Sequence, residues 1–202
     1  MKIIGITGPT GAGKSLLSEY FSERAIPVID ADEVYHSLLI PPSPCLDALR
    51  AAFGDGIFLE DGSLNRPALS EIVFHDPVEL NRLNQTVLNF VLDTIRTMIH
   101  AIKSDGALAV AVDAPTLIES GFHRECDVVV SVLAPAEKRL GRIVERDHLS
   151  EERARARIDS QPNDDFYRTH SHAVLVNDGD VNRFHREADA LLAQLLAPNY
   201  SA

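Results

Sequence analysis

Residues 2–24 read KIIGITGPTGAGKSLLSEYFSER, and the pattern of this segment indicates the fold class. Lys2–Thr7 form a short apolar run of the kind that makes a buried strand, and residues 14–24 carry leucine and aromatic side chains at helical spacing. A glycine-rich loop joins the two segments. The stretch therefore predicts a strand, a tight loop and a helix at the start of an α/β chain.

The loop itself is a candidate phosphate cradle, because residues 8–15 satisfy the pattern G-x-x-x-x-G-K-[ST]. Its glycines let backbone N–H groups curl around phosphate oxygens, and the start of the following helix adds a favourable partial charge. Lys14 can reach the β- and γ-phosphates, and Ser15 offers an oxygen to Mg²⁺. We therefore predict a nucleoside triphosphate with Mg²⁺, held by Gly8, Pro9, Thr10, Gly11, Ala12, Gly13, Lys14 and Ser15.

Four further apolar runs predict the remaining strands, at residues 27–30, 108–113, 127–132 and 173–176. They are continuous and rich in β-branched residues, which is typical of a parallel sheet covered on both faces. The predicted class is α/β, with the fold of the P-loop NTPases: a five-stranded parallel sheet flanked by helices.

Two segments between these strands indicate insertions. The long segment between the second and third strands shows no clear buried strand and runs into a helical pattern from residue 78 to 103. Residues 138–161 contain seven of the chain's 19 lysines and arginines. We expect a nucleotide-binding core of residues 1–30, 105–137 and 162–202, interrupted by helical insertions at 31–104 and 138–161.

Carboxylates follow two of the predicted strands, where ligand crevices form in parallel sheets. Asp30 or Asp32 could act on the proton of an attacking hydroxyl, as a kinase requires, or could cap the helix that starts near Glu33. Asp113 could help to hold Mg²⁺, or could be a turn residue before Pro115.

Three arginines in the basic insertion lie on one helix face, since Arg139, Arg142 and Arg146 recur at i, i+3 and i+7. Guanidinium groups match phosphate oxygens and stabilise charge on a transferring phosphoryl group. The alternative is a solvated face paired to acids such as Glu145 and Asp147. We expect solvent pairing for some of these arginines and phosphate contact for others.

Composition excludes several classes of partner. A net charge of −11 and a pI near 5.1 argue against broad binding of nucleic acid or of an anionic membrane. Cys45 and Cys126 are far apart, which favours neither a disulfide framework nor a zinc site. With no signal-like or membrane-spanning apolar run, we expect a cytoplasmic monomer or weak homo-oligomer that binds a small molecule.

A series of short motifs resembles bacterial dephospho-coenzyme A kinases over nearly the whole chain. The motifs are residues 5–15, 28–32, 64–69 and 115–119, Arg146-Asp147, Gln161 and residues 176–179. The resemblance implies transfer of the γ-phosphoryl group of ATP to the ribose 3'-hydroxyl of dephospho-coenzyme A. It also implies that residues 31–104 bind the acceptor and that residues 138–161 form a lid over ATP.

The resemblance assigns roles residue by residue. Asp32 matches the catalytic carboxylate, Arg146 the lid arginine, and Arg66 a candidate for the acceptor's phosphates. The complete prediction has Asp32, Lys14 and Arg146 as catalytic residues; Arg139, Arg142 and Asn177 as ATP contacts beside the loop; Thr7, Asp32, His36, Arg66 and Glu119 as acceptor contacts; and Ser15 and Asp113 as Mg²⁺ ligands.

The chain departs from the family pattern at three places, and these departures concern acceptor binding. Leu88-Asn89 replaces a common His-Pro, Thr116 replaces Leu, and Ser171-His172 replaces Ala-Asp.

The first alternative function is that of another nucleotide or metabolite kinase on the same scaffold, since the fold does not determine the acceptor. A regulatory GTPase is the second, although residues 102–105 lack the amide side chain of the guanine-reading Asn/Thr-Lys-x-Asp.

Overall fold

The structure is a computed structural model that describes residues 1–197, apart from the side chain of Phe74. Residues 198–202, which the predicted core includes, lie outside the described residues. The chain divides into two compact units, Met1–Ile29 with Ala101–Ala202, and Asp30–His100. The helices are α1 (Lys14–Glu23), α2 (Ala31–Leu38), α3 (Pro44–Phe53), α4 (Arg66–Phe74), α5 (Pro77–Ser104), α6 (Ala136–Asp147), α7 (Glu151–Asp159), α8 (Asp164–Thr169) and α9 (Val181–Leu195).

A five-stranded parallel sheet organises the first unit, as predicted. Ile4 of the first strand lies opposite Ala111 on one side and Val128 on the other, so the first strand is central. The strands run in the order β2-β3-β1-β4-β5, where β1 is Lys2–Thr7, β2 Val28–Asp30, β3 Ala109–Asp113, β4 Val128–Leu133 and β5 Ala173–Val176.

The core of this unit explains why the strands are apolar throughout. Ile4 and Ile6 are wholly buried, and α1 and α9 contribute Phe21 and Phe184 to the same cluster. Each fully buried side chain of this size stabilises the fold by about 1.5–3 kcal/mol relative to an exposed one. β1 and α1 thus share one apolar core, and the glycine-rich loop is the short connection between them.

The second unit is helical and has its own apolar core, which includes Leu49, Ile57 and Val87. Ser43 caps α3, accepting a hydrogen bond from the backbone N–H of Cys45 at 3.2 Å. The long helix predicted over residues 78–103 is confirmed as α5.

Helices α6 and α7 form a hairpin, which we call the α6–α7 hairpin (residues 136–159). Leu140, Ile143 and Ala154 form a small core between the two helices. His148 ends α6 in a left-handed conformation with φ of 52°, and Ser150 caps α7. Within residues 1–197, no helix has the length and apolar character needed to cross a membrane.

Candidate active site

The glycines of the loop are required by both conformation and space. Gly8 has φ of 140° and Gly13 has φ of 95°, in a region that other residues rarely adopt. A Cβ on Gly8 would lie 2.1 Å from the carbonyl oxygen of Val132, and one on Gly13 would lie 2.2 Å from Nδ2 of Asn177. Helix α1 begins immediately afterwards at Lys14, so its N-terminal N–H groups and dipole favour an anion here.

Side chains hold the outer surface of this loop through its carbonyl oxygens. Arg142 donates from Nη1 to the carbonyl oxygens of Gly11 at 3.0 Å and Ala12 at 3.1 Å. Asn177 donates from Nδ2 to the carbonyl oxygen of Ala12 at 3.0 Å and accepts from Nη2 of Arg142 at 3.0 Å. Since C=O and N–H point to opposite sides of a trans peptide, these contacts leave the N–H groups directed to the other side.

Arg139 holds the loop one residue earlier. It is only 5% exposed, and its Nε donates to the carbonyl oxygen of Thr10 at 3.0 Å. Burial lowers the pKa of Arg139, partly offset by Asp164, whose carboxylate lies 3.9 Å from Nη1. Gln161, which the spacing of residues did not single out, accepts from the Thr10 N–H at 2.8 Å.

Arg139, Arg142 and Asn177 are thus brought to the predicted phosphate site. The contacts seen are with the backbone of the loop, so these side chains shape the cradle. Direct contact between them and ATP stays a prediction. The solvated alternative does not describe Arg139 and Arg142, because the guanidinium groups of both donate to carbonyl oxygens of the loop.

Lys14, Ser15 and Asp113 belong to the same unit. The Lys14 ammonium donates to the carbonyl oxygen of Gly8 at 3.2 Å, and Ser15 lies exposed in the first turn of α1. Asp113 ends β3, is 8% exposed, and accepts from the Ser18 hydroxyl at 2.7 Å. A hydroxyl and a carboxylate form an all-oxygen set, which fits Mg²⁺ completed by phosphate oxygens and water.

Arg146 has a different environment from Arg139 and Arg142, the other two arginines of α6. Its side chain is 60% exposed and makes a bidentate contact with Asp147, with distances of 2.7 Å from Nε and 2.9 Å from Nη2. Arg157 of α7 donates to the same carboxylate at 2.7 Å. The hydrogen bond from Arg146 lowers the pKa of Asp147, with Arg157 adding to the effect. Arg146 therefore pairs with an acid at an exposed position of α6, and its contact with a phosphate stays a prediction.

Two predicted acceptor contacts lie in the first unit. Thr7 is wholly buried at the end of β1, and its hydroxyl donates to the carbonyl oxygen of Pro115 at 3.3 Å. Glu119 is exposed. The structure gives Thr7 a role inside the protein, tying β1 to the loop after β3, and its contact with an acceptor stays a prediction.

In the second unit, the two candidate carboxylates at the start of α2 have different environments. Asp30 is the N-cap, and its Oδ1 accepts from the N–H groups of Asp32 at 2.8 Å and Glu33 at 3.2 Å. Asp32 follows in the first helical turn and is exposed. The structure also brings His36 and Arg66 together, with 3.4 Å between Nδ1 and Nη2.

A parallel α/β sheet whose first strand leads through G-x-x-x-x-G-K-S into a helix defines a P-loop phosphate-binding protein. The family model for dephospho-CoA kinase (CoaE) matches residues 2–183. The chain belongs to the dephospho-CoA kinase family.

Individual relatives agree with this assignment. The chain is similar to the dephospho-CoA kinase of Symbiobacterium thermophilum, with 36% identity over 94% of this chain and 80% of the relative. A crystal structure of a Thermus thermophilus protein has a TM-score of 0.79 and 30% identity, covering 96% of this chain and 97% of the other. The dephospho-CoA kinase of Campylobacter jejuni shares the fold, with a TM-score of 0.73, 24% identity and 98% coverage of both chains.

Proposed function

We propose that this protein transfers the γ-phosphoryl group of ATP to the ribose 3'-hydroxyl of dephospho-coenzyme A, giving coenzyme A and ADP. The observation that carries the proposal is the phosphate loop, whose carbonyl oxygens are held outward by Arg142 and Asn177 in a chain of this family. The acceptor is that of the dephospho-CoA kinases to which the chain is similar. We place the reaction in the cytoplasm and expect a monomer or weak homo-oligomer.

In the proposed reaction, the loop and α1 bind the phosphates of ATP. Lys14 neutralises charge on the β- and γ-phosphates, and the N–H groups at the start of α1 bind phosphate oxygens. Ser15 and Asp113 would hold Mg²⁺, and Ser18 fixes the carboxylate orientation of Asp113. When bound, Mg²⁺ supplies positive charge that offsets the charge of the phosphate oxygens.

The basic insertion at residues 138–161 would act as a lid. Closure of such a segment excludes water, which limits wasteful hydrolysis of ATP. Arg146 is the group that we place on the moving phosphoryl, where a positioned guanidinium stabilises developing charge. Its exposed position leaves it accessible to a ligand, and Asp147 orients its planar group.

The acceptor would be bound by residues 31–104. Asp32 orients the 3'-hydroxyl and accepts its proton, because Asp30 already fulfils the capping role at the start of α2. His36 and Arg66, which lie together, would contact the acceptor's phosphates. Thr7 and Glu119 complete the proposed acceptor set.

A coupled assay of ADP release tests this function, with ATP, Mg²⁺ and one of four conditions: dephospho-coenzyme A, adenosine, AMP or no acceptor. We expect strong acceleration by dephospho-coenzyme A alone. Asp32→Asn should remove most of that turnover while ATP affinity is retained, and Asp47→Asn, an exposed aspartate of α3, is the matched control. ADP release that ignores the acceptor would overturn the proposal.

A further inference from the structure

Both backbone groups of one loop residue, Thr10, are bound by side chains from the two ends of the basic insertion. Its carbonyl oxygen accepts from Nε of Arg139 at 3.0 Å, and its N–H donates to Oε1 of Gln161 at 2.8 Å. Nη2 of Arg139 also donates to Oε1 of Gln161, at 3.5 Å. Arg139 lies near the start of α6 and Gln161 lies just past the end of α7.

These contacts restrain consecutive peptide groups of the loop. Gln161 holds the Pro9–Thr10 peptide through its N–H, in the orientation in which the Pro9 carbonyl oxygen accepts from the Ala12 N–H at 3.2 Å. Arg139 holds the next peptide through the Thr10 carbonyl oxygen. The Gly11 and Ala12 carbonyl oxygens are held in turn by Arg142.

The loop depends on this external support because its glycines add freedom of rotation. Gly11 has φ of 74°, and glycine populates several backbone regions with similar ease. A flip of the Pro9–Thr10 peptide would break the hydrogen bond from the Thr10 N–H to Gln161 and the one that the Pro9 carbonyl oxygen accepts from the Ala12 N–H, because N–H and C=O of one peptide group turn together. The carboxamide oxygen of Gln161 opposes that flip by accepting the Thr10 N–H. A side chain at position 11 is also excluded, because a Cβ on Gly11 would lie 2.8 Å from the backbone carbonyl oxygen of Arg139.

We propose that Gln161 is a positioning residue for the nucleotide site: its carboxamide oxygen, together with Arg139, fixes Thr10 and couples the ends of the α6–α7 hairpin to the shape of the phosphate loop. The inference rests on the proposed function in that the loop binds ATP. In this proposal Gln161 acts through the backbone of the loop and does not itself contact the phosphates. Movement of the hairpin ends is then transmitted to the cradle.

The variants Gln161→Met and Gln161→Glu separate this role from simple packing. Methionine has similar length and flexibility but lacks the acceptor oxygen, whereas glutamate keeps the acceptor and adds a charge that suits Arg139. Gln194→Met, at an exposed position of α9, is the matched control. Thermal unfolding of every variant identifies any that fails to fold.

Two measurements on the full chain, made without dephospho-coenzyme A, test the role of Gln161. The first is calorimetric titration with ADP, and the second is amide hydrogen exchange of the peptide containing residues 8–16. For Gln161→Met we expect about tenfold weaker ADP binding, equivalent to about 1.4 kcal/mol, and faster exchange in the loop. Gln161→Glu should restore both, and Gln194→Met should match the wild type.

Binding and loop exchange in Gln161→Met that equal those of the wild type would overturn the proposal, and so would a Gln161→Glu variant as impaired as the methionine variant. The proposed function fails separately, if the wild type binds ADP but does not phosphorylate dephospho-coenzyme A. The inference about Gln161 stands in that case whenever the binding loss and its rescue are seen.

Discussion

Asn177 Nδ2 occupies the space that a side chain on Gly13 would need, since a Cβ there would lie only 2.2 Å from it. The two residues are far apart in sequence, one at the loop after β1 and the other directly after β5. The same amide group donates to the carbonyl oxygen of Ala12 at 3.0 Å. Asn177 can therefore donate to the Ala12 carbonyl oxygen only because residue 13 has no side chain.

Gly13→Ala should damage both stability and nucleotide binding. The backbone at position 13 has φ of 95°, where alanine is strained, and the new Cβ would displace Asn177. We expect a loss of about 1–3 kcal/mol in the free energy of unfolding, and weaker ADP binding. Urea unfolding and calorimetry measure the two effects.

Gly141→Ala is the matched control for this change. Gly141 lies within α6, and a Cβ there would have no heavy atom within 4 Å. Alanine should raise the free energy of unfolding by about 0.5–1 kcal/mol, as expected for glycine replacement inside a helix. Equal behaviour of the two variants would show that the contact at Gly13 has no consequence.

Asn177→Leu should destabilise the protein by about 2–4 kcal/mol, because it leaves the Ala12 carbonyl oxygen and the Arg142 guanidinium without this partner. Asn177→Asp should cost less, since a carboxylate still accepts from Arg142. Asn182→Leu, at an exposed site of α9, should stay within about 0.5 kcal/mol of the wild type in urea unfolding. A loss no larger in Asn177→Leu than in this control would show that the contacts of Asn177 with Ala12 and Arg142 do not stabilise the protein.

Arg146→Ala should lower kcat by at least about a hundredfold, the effect of losing one donor to transition-state charge. The KM for ATP should change much less, because the exposed guanidinium contacts Asp147 in the ligand-free protein. Steady-state kinetics on Arg146→Ala and on Arg153→Ala, an exposed arginine of α7, make the comparison. A raised KM with normal kcat would mean that Arg146 binds only the ground state.

Alkaline pH should destabilise the fold through Tyr167. Burial, with a smaller contribution from Glu119, raises the pKa of this phenol from 10.0 to about 12. Between these values the unfolded chain has released the proton and the folded protein retains it. The free energy of unfolding therefore falls as pH rises from about 10 to about 12, by at most about 1.4 kcal/mol per pH unit for one proton.

Tyr167→Phe removes that proton and should make the pH dependence shallower over this window. Tyr20 and Cys126, whose pKa values burial also raises to about 12, keep part of the slope in both proteins. Urea unfolding at several pH values from 9.5 to 11.5 gives the two slopes directly. Identical slopes would show that Tyr167 does not titrate differently in the folded protein.

The local features were accessible from the sequence because their signals are local. Continuous β-branched runs predicted five strands, and the glycine pattern with Lys14 and Ser15 placed the loop between β1 and α1. The helix over residues 78–103 followed from its periodic apolar residues. In each case, neighbouring residues alone determine the pattern.

The support of the loop was not accessible in the same way. Helical spacing placed Arg139, Arg142 and Arg146 on one face, but which of them meets the loop depends on how α6 lies against the loop. Gln161 has no spacing signal of its own, since its partner Thr10 lies on another part of the chain. The choice between Asp30 and Asp32 as helix cap likewise required the backbone conformation at position 30.

A single-turnover experiment that follows label from γ-labelled ATP to dephospho-coenzyme A tests the proposed reaction itself, with Asp32→Asn measured in parallel. We predict that the wild type places the label on the ribose 3'-oxygen of the acceptor, and that Asp32→Asn binds ATP but transfers little. Label that appears only in inorganic phosphate, at the same rate with and without dephospho-coenzyme A, would rule out the proposed transfer.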